Sequence, residues 1–379
     1  MVIDDLLAAA ARWTGLSLPA LFFSAYLLSV GVLWTALVLI GLHVYRSAWG
    51  VVALSAAFAM RHRIPRTSAN SFEPYFHPRM LAFGLGALAV AALLRRRPWA
   101  AIVLLALASV VHVTTALWFA VLVGVALLVL DRRWRGIAVL GAAATVLALT
   151  AAVIVGPMNG ALSIMDATWL EAVASKDSLF ATEWPVWAWA MNLGFLALLW
   201  WTHRTRVRRG TASREDGALV WGAVALVVLF VATLPFVAMK VSLAVQFQIS
   251  RIFWLVDFIA LVYVIAALIE PVSASTPGTA HSRPEDSRAL AGVPMRAFAV
   301  AMLLLGVAAS RGAYVMFVEH SDRPLFQVDL QETDWEDAMR WIATQSAQTH
   351  VLADLGHAWS TVRASESRRT SMGCLETGR

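Results

Sequence analysis

The amino-acid sequence predicts an all-α polytopic membrane protein with about ten transmembrane helices of uneven length. Three observations carry this prediction. Of the 379 residues, 60% are apolar and only 14% are charged, where a soluble domain carries about 25% charge. The mean hydropathy is +0.70. The apolar residues also gather into long runs bounded by charge, proline or polar loops. Together these exclude a soluble globular enzyme, a disordered chain and a disulfide scaffold. They exclude an outer-membrane barrel as well, because its strands alternate and average out polar. One cysteine, Cys374, leaves no internal disulfide and no multi-cysteine metal site.

The runs are ten, at residues 20–41, 48–60, 78–94, 99–111, 113–130, 136–155, 186–202, 217–239, 252–269 and 297–316. Segment 48–60 is short for a crossing. Trp99–Leu130 is an uncharged stretch of 32 residues, too long for one upright helix and short for two. A tight helical hairpin turning at His112 accommodates it. Residues 1–316 therefore form a helical transmembrane domain, with outer loops at 61–79 and 156–185 and a Pro/Ser/Gly-rich inner linker at 270–296. Residues 317–379 have soluble composition and form a short, incomplete α/β extracytoplasmic segment. An outward amino end with no preceding span, and a carboxyl end without apolar pattern, make both ends look cut.

Arginine sets the orientation. Lys176 and Lys240 are the two lysines, and the other 28 basic residues are arginine. With ten crossings and both termini outside, the inner loops hold 15 basic residues and the outer loops and amino end hold eight. Four of those eight, Arg61, Arg63, Arg66 and Arg79, lie in the single loop RHRIPRTSANSFEPYFHPR, which runs against the topology rule. Planar guanidinium groups at an outer face suit a phosphate or pyrophosphate. They suit lipid phosphates or pairing with Glu73 equally well. Pro78 fits the first turn of the following helix, which places Arg79 at a helix mouth that favours anions. His112 either bonds Thr114 or Thr115, or joins His77 and the arginines at one outer cavity. Asp257 lies inside a span, where a carboxylate needs a partner or a cavity; Arg251 and Lys240 are its nearest cations in sequence. Asp166, Glu171, Asp177 and Glu183 line the outer loop 156–185. The tryptophans fall mostly near span ends, as an interfacial belt. Gly84 and Gly86 suit close helix packing. No soluble basic domain exists to bind nucleic acid.

After the last span, Trp335, Ala338, Trp341 and Ile342 recur at helical spacing, so 334–345 reads as an amphipathic helix. Val351–Asp354 reads as a strand, followed by Gly356, His357 and Trp359. This helix, strand and Asp-x-Gly turn resembles the start of the outer domain in membrane glycosyltransferases of the GT-C fold. The short uneven helices and the proline- and arginine-bearing outer loop are similar to that family in layout. The oligosaccharyltransferase motif Trp-Trp-Asp-Tyr-Gly is matched only by Asp354 and Gly356, so asparagine-linked transfer is not implied.

The resemblance implies a glycosyltransferase of the bacterial cytoplasmic membrane, taking a sugar from a polyprenyl-phosphate donor at the outer face. The family's catalytic acid lies in its first outer loop. Asp4 and Asp5 stand in about that region, and Glu73 is the third candidate base, in no set order. Arg61, Arg63, Arg66 and Arg79, with His77 and His112, would bind the donor phosphate. Apart from the resemblance, Asp257 and Arg251 are the intramembrane polar residues, and a structural ion pair suits them as well as a substrate contact. A divalent cation is compatible with the chemistry, but no ligand set stands out. The other readings are a multi-pass transporter or flippase using Asp257, Arg251 and His112 as a polar path, and a non-catalytic or degenerate membrane protein.

Overall fold

The computed structural model describes residues 2–270 and 295–321, except 46, 157, 159, 175, 177 and 320, together with Trp341 and Thr344. Side chains are described from Asp5 onward. The amphipathic helix over 334–345, apart from Trp341 and Thr344, lies outside the described residues. So do the strand at 351–354, Gly356, most of the linker at 270–296, Asp177 and the Asp4 side chain.

The chain divides into two compact units, residues 1–25 with 322–379, and residues 26–321. In the first, α1 (Val2–Thr14) carries Asp5 on an exposed position. It stops at Gly15, whose φ of +67° is the left-handed conformation of a helix C-terminus. The Gly15 N–H donates to the Ala11 carbonyl at 3.0 Å.

Every one of the ten apolar runs is helical. In chain order they form α2 (Leu18–Val44), α3 (Ala48–Ala59), α4 (Pro78–Leu94), α5 (Pro98–Val111), α6 (Val113–Leu130) and α7 (Trp134–Ile154). A short α8 (Ala167–Val173) precedes α9 (Val186–Arg208) and α10 (Arg214–Ala238). Then come α11 (Ser242–Gln246), α12 (Ile252–Ile269) and α13 (Met295–Tyr314). Six spans are long and apolar enough to cross a membrane: α2, α6, α7, α10, the continuous stretch Ser242–Ile269, and Met295–Glu319. The chain is a multi-pass helical membrane protein. Helix α7 shows why lipid is its solvent, since none of its residues is buried although nearly all are apolar. The other four runs have a reason to fall short. Helices α3, α4 and α5 have 12, 17 and 14 residues, where a crossing takes about 20. The last turns of α9 hold Arg204, Arg206 and Arg208.

The stretch split at His112 is a hairpin. Trp99 at the start of α5 meets Trp134 just beyond α6, ring centroids 5.4 Å apart, while His112 alone joins the two helices at the other end. Close approach explains the predicted packing glycines. A Cβ at Gly86 would enter the Phe119 ring of α6, and one at Gly84 would lie 3.0 Å from Val32 of α2. At Gly222 of α10 it would strike the Leu122 carbonyl oxygen, backbone that cannot swing away. Helix α12 runs through the middle of this unit with almost every residue buried. Trp254 stacks on Phe83 at 4.0 Å, and Phe58 and Phe258 meet edge to face at 5.6 Å.

Charged residues collect at the two ends of α12, which are separated by 18 residues, or about 27 Å of helix. That length matches the roughly 30 Å hydrocarbon core of a bilayer.

At one end Arg206, 3% exposed, ties three elements together. Its Nη1 donates to Asp216 Oδ2 at 2.8 Å and its Nε to Glu270 Oε1 at 2.9 Å. Tyr263 Oη donates to the other Asp216 oxygen at 2.8 Å. Asp216 is also the third residue of a capping box with Ser213 at the start of α10.

Candidate anion site at the opposite end of the bundle

The loop 61–79 does not lie over the bundle; it packs into it. Helix α3 ends after 12 residues, about 18 Å, and the chain then folds back beside its longer neighbours. Two short strands, β1 (Arg63–Ile64) and β2 (Ala69–Asn70), pair antiparallel. Their turn has Pro65 in second place and Arg66 at φ +55° in third, the type II pattern, closed by Thr67 N–H to the Ile64 carbonyl at 3.3 Å. Thr67, Ser71 and Glu73 are buried, and Asn192 of α9 donates to the Pro65 carbonyl at 2.9 Å. Phe72 packs edge to face on Trp34, midway along α2, at 5.4 Å. Irregular backbone at this depth is tolerated where protein or a polar cavity surrounds it.

Three helices start together beside this loop. His77 caps α4, accepting the Arg79 N–H on Nδ1 at 3.3 Å. His112 caps α6, with Nδ1 3.3 Å from the Thr115 N–H and 3.0 Å from its hydroxyl. The Thr114 hydroxyl is 3.2 Å from the same nitrogen. The two imidazoles meet edge to face with centroids 6.4 Å apart. Arg251 is the residue before α12, and its charge acts on both histidines and on Arg79. So the positive ends of three helix dipoles and two guanidinium groups share one place.

The hydrogen-bond capacity of this place is not filled by protein. Arg79, 7% exposed, gives Nη2 to Glu73 Oε1 at 2.8 Å, but among the described residues its buried Nε has no partner. Nor, among the described residues, has the buried Nε of Arg251 or the indole N–H of Trp254, one turn into α12. Buried donors normally find acceptors, and these three orphans leave donor capacity that an anion fits. Because both histidines accept on Nδ1, their neutral tautomers carry the hydrogen on Nε2 and can donate. Burial, then the neighbouring Arg79 and Arg251 charges, push His77 and His112 down to about 4. Both are neutral donors at pH 7.

Among the predicted phosphate ligands, the fold brings Arg79, His77 and His112 together and adds Arg251. Arg61 and Arg63 are exposed, and Arg66 lies over the Trp187 ring at 5.9 Å. Glu73, 1% exposed, is engaged on both oxygens, by Arg79 and by Asn70 Nδ2 at 3.0 Å. Asp5 lies in the other compact unit. Asp257 pairs neither with Arg251 nor with Lys240. Its Oδ2 is 2.9 Å from Nε2 of His62, 195 residues away in the chain. Lys240 pairs with Glu183 instead. Asp166 caps α8 by accepting the Trp169 N–H at 2.8 Å. Among the described residues no three His, Cys, Asp or Glu side chains gather to hold a metal.

The depressed histidines have a consequence for stability. Their folded-state value lies below the ordinary 6.5, so the neutral form is the one the fold favours. Their contribution is complete above pH 6.5 and is lost as pH falls toward about 4. The acid limb of thermal stability between these values should shrink in His77→Gln/His112→Gln protein. Unchanged melting curves across that window would contradict the assignment. His62 acts in the other sense. The Asp257 hydrogen bond holds it above the ordinary value, so its contribution is full at low pH and fades as pH rises through that higher value.

Comparisons with protein families, with curated proteins and with solved structures return no match. The functional reading therefore rests on the chemistry of this site.

Proposed function

We propose that the protein is an integral membrane glycosyltransferase of GT-C-like design. It would move a sugar from a polyprenyl-phosphate donor to an acceptor at the outer face of a bacterial cytoplasmic membrane. If the Arg206 end lies inside and the carboxyl-terminal segment outside, as ten crossings would have it, the Arg79–Arg251 end lies at that face. This assignment keeps the arginine-rich turns on the inner side.

The observation that carries the reading is the unpartnered Nε of both Arg79 and Arg251 at three converging helix N-termini. A phosphate at the head of a lipid suits this in charge and in hydrogen-bonding capacity. In an inverting transfer the acceptor oxygen attacks the anomeric carbon while the phosphate departs with the bonding electrons. Arg79 and Arg251 would stabilise the charge growing on that phosphate, and the His77 and His112 Nε2–H groups would orient it. Glu73 serves this site by holding Arg79 in place.

The test is sugar transfer from a polyprenyl-phosphate-linked radiolabelled donor in membranes containing the protein. Wild type should transfer, and Arg79→Gln/Arg251→Gln should not. Movement of the donor across the bilayer with no transfer would overturn the enzyme reading in favour of a flippase. Transfer that survives removal of Asp4, Asp5 and Glu73 together would take all three out of the role of base.

A further inference from the structure

A transferase of this kind needs a base for the acceptor hydroxyl. Glu73 has both carboxylate oxygens occupied. His62 and Asp257 are a titratable pair, carried by the same loop and the same α12 stretch as the site, whose chemistry is otherwise unused. Asp257 is the sixth residue of α12 and 4% exposed, about 8 Å along the axis from where the helix begins. A lone carboxylate there is costly, and the fold answers it with a histidine carried in by the packed loop. The position of His62 is fixed from the backbone. Its N–H donates to Ser71 Oγ at 3.0 Å, and the Ser71 N–H donates to its carbonyl at 2.9 Å. Its side chain is 38% exposed while that of Asp257 is 6% exposed, so the imidazole is the more accessible member of the pair.

Two short stretches of chain connect the pair to the site. Ser71, which holds the His62 backbone, is two residues from Glu73, the partner of Arg79. Asp257 is six residues beyond Arg251, the residue that precedes α12, about 9 Å of rise. With Nε2 committed to Asp257, the neutral tautomer leaves Nδ1 as a lone-pair acceptor, and among the described residues Nδ1 has no protein partner.

We infer that His62, held and polarised by Asp257, is the general base of the transfer, with Asp257 as its positioning residue. This rests on the transferase reading of the neighbouring phosphate site. In the step, the acceptor O–H proton moves to His62 Nδ1 as the oxygen bonds to the anomeric carbon. The carbon–oxygen bond to the phosphate breaks, and its electrons leave on the phosphate against Arg79 and Arg251. The imidazolium that results is stabilised by the Asp257 carboxylate. The charge that acts on His62 is that of Asp257; Arg61 and Arg63 flank it in the chain at exposed positions.

The test measures two properties of purified protein in lipid nanodiscs, binding of polyprenyl phosphate and sugar transfer across pH. His62→Gln should bind the lipid as wild type does, which shows an intact fold, while transfer falls by at least about 100-fold, the usual worth of a positioned base. Wild-type transfer should fall on the acid side as His62 takes up its proton. In Asp257→Asn that limb should move to lower pH, because the charge that favours imidazolium is gone. Transfer by His62→Gln at the wild-type rate, or an Asp257→Asn profile whose acid limb does not move, overturns the role of the pair. Absence of transfer in wild type overturns the transferase reading itself, and the inference with it.

Discussion

Arg206→Ala should cost the protein a large share of its stability, about 3–5 kcal/mol, the range for breaking a buried ion pair. Arg206 is 3% exposed and gives separate nitrogens to Asp216, Glu270 and the Thr211 carbonyl. Removing it leaves two carboxylates without their cation, at the point where α9, α10 and α12 meet. The Tyr263 hydroxyl and the Ser213 N–H would still hold Asp216, so the capping box survives while the link between helices does not. Lysine should restore only part of the loss, because an ammonium cannot present the same fork of donors. The measurement is thermal unfolding in detergent, with Arg204→Ala as the control. Arg204 lies over Trp200 at 5.2 Å and is exposed, so its loss should be nearly silent. Equal melting temperatures for the two variants would mean that Arg206 does not hold this end together.

Arg251→Gln should weaken the hold on a lipid phosphate by about 10–100-fold, the worth of a lost charge-assisted hydrogen bond. The fold should survive this change better than the loss of Arg206, because among the described residues Arg251 makes no ion pair; Glu73, whose charge acts on it, is held by Arg79. Its buried Nε is unpartnered already. Arg61→Gln and Arg63→Gln, at exposed positions, should leave binding within about twofold. Binding of polyprenyl phosphate measured for these variants separates the buried arginines from the exposed ones. A loss caused by Arg61 or Arg63, with none caused by Arg251, would place the site on the loop surface instead.

The helices were legible because each apolar run is long, nearly uncharged and closed by arginine or proline. The turn at His112 was legible from length alone. Convergence of His77, His112 and Arg79 could be read because all three stand at starts of apolar runs, and helices of alternating direction bring such starts together. What could not be read were pairings between residues far apart in the chain. Asp257 looked toward its sequence neighbours Arg251 and Lys240, but its partner arrives from residue 62 on a loop whose depth no local pattern encodes. Arg206 is the same residue type, in the same cluster, as the exposed Arg204 and Arg208 of the same helix end. Its burial depends on Asp216 and Glu270 reaching it, 10 and 64 residues away. The capping box Ser213-x-x-Asp216 was the one local sign that Asp216 had a structural role.

The most direct test of the central claim is an equilibrium binding measurement on wild-type protein in nanodiscs, with polyprenyl phosphate and the unphosphorylated polyprenol compared at equal chain length. The phosphate form should bind saturably at one site, competed by inorganic pyrophosphate, and the alcohol should show no saturable binding. Equal binding of both lipids, or of neither, would contradict a phosphate site at Arg79 and Arg251.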